Sequence, residues 1–519
     1  MNLTSDPWIP IVWQDGRAGK VSLKDAFLRG EEIRDLAVRP HERIALMRLL
    51  ICVAQAALDG PKDRADWLTC ANRLPEAAAA YLDQWVHAFE LLGDGQRFLQ
   101  VEGLRPVRAG GDDEGNSVSK MDLALATGNT STLFDNAGGG RRSFSSAEVA
   151  LMLLTFQNFS PGGLIGDVSW HGQRMGRSSN HAPCVIKALA HALVKGDTLG
   201  RGLHLNLLTQ EATRRREVKW GQPLWERPPT SPSDRDSIQN ATATYLGRLV
   251  PLARLVWLGN HDDLILGNGP TYEGYPHWRE ATATIVRKVR NDTEERVTLA
   301  ASVSKSTWRE IPAVSVIERA GGDPLGGPLA LQNLSSEESC EIWVGALIAD
   351  KAKPIDAIES VYFLPAAMFT DPGRGRYEAG VRSAEAWNAR LGKAIAKYRR
   401  ELKDEIEGDQ WKRGAKVKHK AATHYWTAVE QNVSDLLAVV DKPELLHSDG
   451  SDSGGDDWHQ TAWGRALRYA ARSAYDLACP HKTPRQLKAY ALGLKALFEE
   501  RPAVAANADD LPDTEAPNA

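Results

Sequence analysis

From Asp371-Pro372-Gly373 onward the apolar residues of this 519-residue chain recur every three or four positions, a spacing that leaves few folds open. Four stretches carry it: Trp387, Leu391, Ile395, Tyr398 and Leu402; Tyr425, Val429, Val433, Leu436 and Val440; Trp458, Ala462, Ala466, Tyr469 and Tyr475; and Leu487, Ala491, Leu494 and Phe498. Each set falls on one face of a helix, and helices with one apolar face bury it against one another. The spacing predicts a C-terminal four-helix bundle over residues 371–502. Between its second and third helices lies His447–Asp457, a flexible acidic linker of Gly, Ser and Asp, and residues 503–519 read as a tail of acidic and small residues that is expected to be disordered.

Residues 1–370 show no single period. Trp8–Trp13, the turn pair Asp15-Gly16 and Lys20–Leu23 read as a hairpin. A helix follows Pro40-His41-Glu42, with apolar residues at Ile44, Met47, Leu50, Ile51, Ala54 and Leu58, and Gly60-Pro61 closes it. Short β-like runs at 281–289 and 297–303 and long glycine-rich loops between Arg105 and Arg142 complete an irregular mixed domain. The fold class is α+β: an irregular N-terminal domain followed by the bundle.

Composition narrows function. With 42% hydrophobic and 25% charged residues the chain is globular, and no apolar run reaches the ~18 residues of a spanning helix. The N-terminus lacks the basic and apolar regions of a signal peptide, so a cytoplasmic protein is expected. Five scattered cysteines suit reduced, buried thiols. Lys+Arg number 63 against 67 Asp+Glu, a net charge of -4, so any grip on nucleic acid is local or shared with partners.

The candidate chemistry is sparse. His171, His181 and Cys184 offer zinc-ligand atoms and so a metal-dependent hydrolase, although their spacing matches no compact ligand motif. No nucleophile elbow, metalloprotease helix motif or phosphate loop occurs, and no cofactor is called for. Gly267-Asn268-Gly269 reads as a turn. Lys412–Lys420 and Arg214-Arg215-Arg216 with Lys219 are cationic runs that suit either a solvated helix end or phosphate contacts. In Phe159-Ser160-Pro161-Gly162-Gly163 the glycines lack a Cβ, which lets the backbone approach another backbone or a base edge.

Taken in order, several segments resemble the CasA family, the large subunit of the type I-E CRISPR Cascade complex. They are Asn2-Leu3 with Asp6-Pro7-Trp8-Ile9-Pro10, Ala45-Leu46 with Leu49-Leu50, Phe98-Leu99-Gln100 and Leu133-Phe134-Asp135-Asn136. Pro161-Gly162-Gly163, Tyr275-Pro276-His277, Asp350-Lys351-Ala352-Lys353, His424-Tyr425-Trp426 and Ala478-Cys479-Pro480 follow. Their order, with a helical bundle at the end, carries the resemblance.

The resemblance implies a DNA-binding subunit without enzymatic activity. Its partners would be the other Cascade subunits, a CRISPR guide RNA, target duplex DNA and a helicase-nuclease that it recruits for antiviral defence. It would read the protospacer-adjacent motif and assist R-loop formation, while guide pairing supplies specificity. Phe134 and Asn136 match the loop near the motif, Gly162 and Gly163 the loop that enters the minor groove, and Lys351, Ala352 and Lys353 the wedge that parts the strands. Well-known members carry Gln-Ala at the wedge, where Lys351-Ala352 stands here. The minor-groove lysine of some members has no counterpart between His261 and Tyr275, where Asn268 is the candidate substitute. A helical scaffold without a nucleic-acid role is the remaining alternative.

Overall fold

The computed structural model describes residues 1–107, 116–124, 143–163, 165, 167–176, 180–259, 263–272, 280–290, 293–317, 325–335, 337–350, 353–402, 409–446 and 458–499. Phe134, Asn136, Lys351, Ala352, the 447–457 linker and the 503–519 tail lie outside them. The chain divides into two units, Met1–Thr370 and Asp371–Ala519. No helix among the described residues is long and apolar enough to cross a membrane.

The first unit is built around two helices that are apolar on nearly every side, Pro40–Leu58 and Ser146–Phe159, and therefore sit inside rather than at the surface. Small antiparallel sheets surround them. Ile9–Trp13 pairs with Ala18–Val21 around Gly16, which takes φ 84, as the turn dipeptide predicts, and also with Ile33–Leu36. Ile285–Arg290 and Thr293–Thr298 form a second hairpin: its first strand falls in the β-like run expected at 281–289, whereas its second starts four residues before the run expected at 297–303. Cys340–Asp350 pairs with Lys353–Leu364 on one side and His191–Lys195 on the other.

Charge inside this unit is matched. Arg48, 1% exposed on the central helix, places Nη1 2.9 Å from Glu280 Oε2, and Arg248 Nη2 lies 2.6 Å from Oε1. Burial alone would raise the Glu280 carboxyl, but the two guanidiniums outweigh it and hold it down at about 2. His41 and His191 are buried deepest among the described histidines and are neutral. His191 bonds Thr282 Oγ1 at 2.7 Å and the Cys184 carbonyl at 2.9 Å, while both His41 ring nitrogens lack a partner among the described residues.

The second unit is a helical bundle whose helices are Asp371–Glu401, Asp409–Glu430, Val433–Asp441, Ala462–Ala478 and Pro484–Phe498. The predicted second helix is thus two, among the described residues. The apolar stripe from Tyr425 to Val440 stays buried across the break, but the backbone turns at Gln431-Asn432. There the Asn432 N–H donates to the Val429 carbonyl at 3.0 Å and its side-chain amide to Ala428 at 2.8 Å, satisfying carbonyls that a helix end orphans. Trp458 lies in a separate turn, Trp458–Gln460, ahead of the Thr461 cap. Aromatic polar groups in the core reach backbone oxygens: Trp463 donates to Gly380 at 3.1 Å and Tyr425 to Ala384 at 2.8 Å.

Burial lowers His41 to about 3 and His191 to about 4, whereas the unfolded chain protonates both near 6.5. Their contribution is therefore complete above pH 6.5 and is lost as pH falls toward those values, at about 1.4 kcal/mol per pH unit for each histidine. Urea unfolding at pH 7 and pH 5 should show this loss, and His41→Leu should flatten it by about one histidine's share. An unchanged slope would place the His41 ring in water.

Candidate nucleic-acid interface

The glycine loop is set by how the Ser146–Phe159 helix starts and stops. Ser145 and Glu148 cap its N-terminus reciprocally, with the Ser145 N–H donating to Glu148 Oε2 at 2.7 Å. At the other end the Ser160 N–H bonds the Phe156 carbonyl at 2.7 Å, and Pro161 has no N–H to continue the helix. Gly162 is buried, and Gly163 takes φ 150, a conformation that L side chains rarely adopt.

Beneath this loop lies Arg254, 1% exposed at the start of the Arg254–Leu258 strand. Its Nε donates to Ser160 Oγ at 2.9 Å and its Nη1 to Asn268 Oδ1 at 2.8 Å. Nη2 reaches two carbonyls, Pro161 at 3.2 Å and Asn180 at 2.9 Å. These acceptors are neutral oxygens, so burial pulls the guanidinium down to about 10 while leaving it charged at neutral pH. Gln157, one turn before the loop, receives the Arg254 N–H at 2.9 Å and donates to its carbonyl at 2.8 Å. Sequence reading missed Arg254, although a lone cation in the run 249–258, otherwise free of polar side chains, was a signal.

Gly267-Asn268 is not a free turn; both residues end the Asp263–Asn268 strand, and Asn268 faces Arg254 across the ladder. A Cβ at Gly267 would come within 2.3 Å of Val168 Cγ2, so glycine is needed for that approach. The Asn268 amide is buried, accepting from Arg254 and donating to the Gly176 carbonyl at 2.7 Å. Its oxygen and one amide N–H are therefore engaged inside the protein, which does not suit the minor-groove donor considered from sequence.

The Cys340–Asp350 and Lys353–Leu364 strands form one long hairpin, closed by the Asp350–Lys353 pair, and Lys353 is exposed. Among the described residues only 341–345 also pair with the third strand, so the described part of the hairpin toward the predicted wedge is two-stranded. Of the cationic runs, Lys416, Lys418 and Lys420 are exposed on the Asp409–Glu430 helix. The Arg214–Arg216 run is partly spoken for: Arg215 pairs with Glu211, and Arg216 donates to the Ala212 carbonyl at 2.6 Å.

The hydrolase reading loses its ligand set. His171 and His181 are exposed, whereas Cys184 is buried with Sγ 3.6 Å from Asn158 Oδ1. No group of three His, Cys, Asp or Glu among the described residues is arranged to hold a metal. Burial pushes the Cys184 thiol up to about 12, which suppresses the thiolate that metals and alkylating agents need. In the folded protein at pH 7.5, Cys184 should therefore alkylate at least about 100-fold more slowly than in urea, as read by peptide mass spectrometry. Equal rates would make it a reactive group after all.

A family model described as CRISPR-associated protein Cse1 matches residues 2–474. A Thermus thermophilus protein named CRISPR-associated protein CasA/Cse1 is 28% identical over 434 residues, 79% of each chain. A crystal structure of Thermus thermophilus CasA aligns with a TM-score of 0.72 at 23% identity, covering 96% of this chain and 98% of that one. Thermobifida fusca Cse1 aligns with a TM-score of 0.72 at 19% identity, covering 96% and 98%. A chain in a structure titled CRISPR RNA-guided surveillance complex gives 0.68 at 18%, covering 96% and 99%. The structural likeness establishes a shared mixed α/β fold, and the family match runs through both units: the chain belongs to the CRISPR-associated Cse1 family, the CasA family that its sequence resembles.

Proposed function

We propose that this protein, as the large subunit of a guide-RNA surveillance complex, reads the protospacer-adjacent motif in duplex DNA and helps part the strands. The carrying observation is the Pro161-Gly162-Gly163 backbone, whose two glycines lack a Cβ and whose start is tied from below by Arg254. A minor groove ~6 Å wide admits such a backbone where a loop with bulkier side chains would clash. The solved surveillance complex that contains a chain of this fold supports the assignment of guide RNA and sibling subunits as partners.

In this reading Phe134 and Asn136 belong to a loop beside the motif, and the 350–353 turn is a wedge that unstacks the first base step. Lysine at 351 adds attraction for phosphate to the volume of the wedge. The Lys416, Lys418 and Lys420 helix contributes sequence-independent affinity, while the net charge of -4 keeps the isolated chain from binding DNA indiscriminately. The subunit itself catalyses nothing; cleavage falls to a recruited helicase-nuclease, and the complex works in the cytoplasm.

The deciding experiment titrates a reconstituted guide-RNA complex, with and without this chain, against target duplexes carrying a randomised motif at fixed salt. Motif-dependent affinity should require the chain; identical binding despite assembly would leave only a scaffold. Gly162→Asp should weaken motif-bearing DNA about 10- to 100-fold, the scale of losing one base readout. Replacing Lys416, Lys418 and Lys420 with Gln should instead flatten the salt dependence, by about one unit of slope for each phosphate no longer neutralised, and leave motif preference intact.

A further inference from the structure

We infer that Arg254 is the positioning residue of the motif-reading loop, fixing the Pro161–Gly163 backbone through a planar fork that also grips Asn180 and Asn268. The inference rests on the proposed role of that loop. Glycine residues give a loop access to a groove but also give it freedom, and a backbone free to wander cannot discriminate between base edges. Something in the fold has to remove that freedom.

Arg254 is placed to do so. Its three nitrogens engage four acceptors on separate stretches of chain: Ser160 Oγ at 2.9 Å and the Pro161 carbonyl at 3.2 Å in the loop, the Asn180 carbonyl at 2.9 Å, and Asn268 Oδ1 at 2.8 Å. Asn268 extends the grip, since its amide donates to the Gly176 carbonyl at 2.7 Å. Asn180 in turn donates to Thr271 Oγ1 at 2.6 Å. Both sides of the 176–180 segment and the start of the glycine loop are thus referred to one rigid plane. The strand that carries Arg254 is itself held at that residue by both ends of the Gln157 amide.

The choice of arginine over lysine follows from geometry. A lysine ammonium offers three donors from one point, whereas the guanidinium spreads five donors over a plane and can reach acceptors on opposite sides. Arg254→Lys therefore keeps the charge and removes the fork, which separates positioning from simple attraction for phosphate. The matching acceptor variants are Ser160→Ala and Asn268→Ala, each of which removes one acceptor and leaves the arginine in place.

The test uses the assembled guide-RNA complex and reads the ratio of Kd for motif-free to motif-bearing duplex. Arg254→Lys should lower that ratio about tenfold, and Ser160→Ala and Asn268→Ala about threefold each. Assembly and the Kd for motif-free duplex should stay within about twofold of the unaltered protein, a split that general loss of structure would not produce. Hydrogen exchange at the Gly162 and Gly163 amides should quicken at least tenfold in Arg254→Lys, with the Ser146–Phe159 helix unchanged.

An unaltered ratio and unaltered exchange in Arg254→Lys would overturn the inference, as would a ratio that falls only together with motif-free affinity. Should Arg254→Lys fail to fold, unaltered ratios in Ser160→Ala and Asn268→Ala overturn it instead. Gly162→Asp, run alongside, separates the two levels. If it lowers the ratio and the other three variants do not, positioning by Arg254 is wrong and the reading loop stands; if it too leaves the ratio unaltered, the loop does not read the motif.

Discussion

A guanidinium taken out of water must have its donors matched nearly one by one, because each unpaired group costs about 1–3 kcal/mol or more. The N-terminal unit meets this demand at Arg48 with an acidic partner and at Arg254 without one. Arg48 is matched by charge and by backbone: Nη1 faces Glu280, which also pairs with Arg248, while Nε and Nη2 donate to the Leu249 and Arg248 carbonyls of the short Tyr245–Leu249 helix. Arg254 is matched by four neutral oxygens drawn from three stretches of the chain. The first arrangement ties helices together in the interior, and the second ties the start of the glycine loop to a strand.

These two solutions respond differently to change. An ion pair tolerates small displacements, since Coulomb energy falls slowly with distance. A fork bonded to neutral acceptors does not, because each hydrogen bond weakens steeply as its angle departs from linear. The segments around Arg254 are accordingly short and sterically constrained. A Cβ at Gly267 would strike Val168, and one at Gly269 would approach the Leu252 carbonyl oxygen to 2.5 Å. Close packing on the sheet side and a planar anchor on the loop side leave the intervening backbone little room to shift.

Local signals in the sequence were legible where one contact type dominates. The first hairpin declares itself through Asp15-Gly16, the central helix through Pro40 and Gly60-Pro61, and the bundle through apolar residues three and four apart. The break at Gln431-Asn432 escaped notice because the apolar stripe keeps its phase across it, so periodicity alone reports one helix where the backbone makes two. The two-residue strand Asn116-Ser117 pairs with residues 263–264, far too short a segment to carry any period. Asn268 was read as a groove donor because an amide on a glycine-flanked segment suits that role; what that reading lacked was its cross-strand neighbour, Arg254, which pairing places opposite it. Arg254 was itself visible as a charge among Leu252, Ala253, Leu255 and Val256, but nothing local to it shows which acceptors it meets. Those come from residues about 14 to 94 positions away.

The energetic scale explains why a loop made of glycine needs such an anchor. Ordering one residue's backbone costs about 1–2 kcal/mol, and glycine has more freedom to lose than any other residue. A single base readout is worth about 1–3 kcal/mol. If Gly162 and Gly163 had to be ordered at the moment of binding, the ordering cost would consume the whole of that discrimination. In the proposed reading, the bonds that fix Ser160 and Pro161 on the guanidinium, with Gly163 at φ 150, complete much of that ordering before DNA arrives. In that reading the glycines that would let the backbone enter a narrow groove are also the residues least able to hold its shape, and a buried arginine bonded to four neutral oxygens supplies the rigidity they lack.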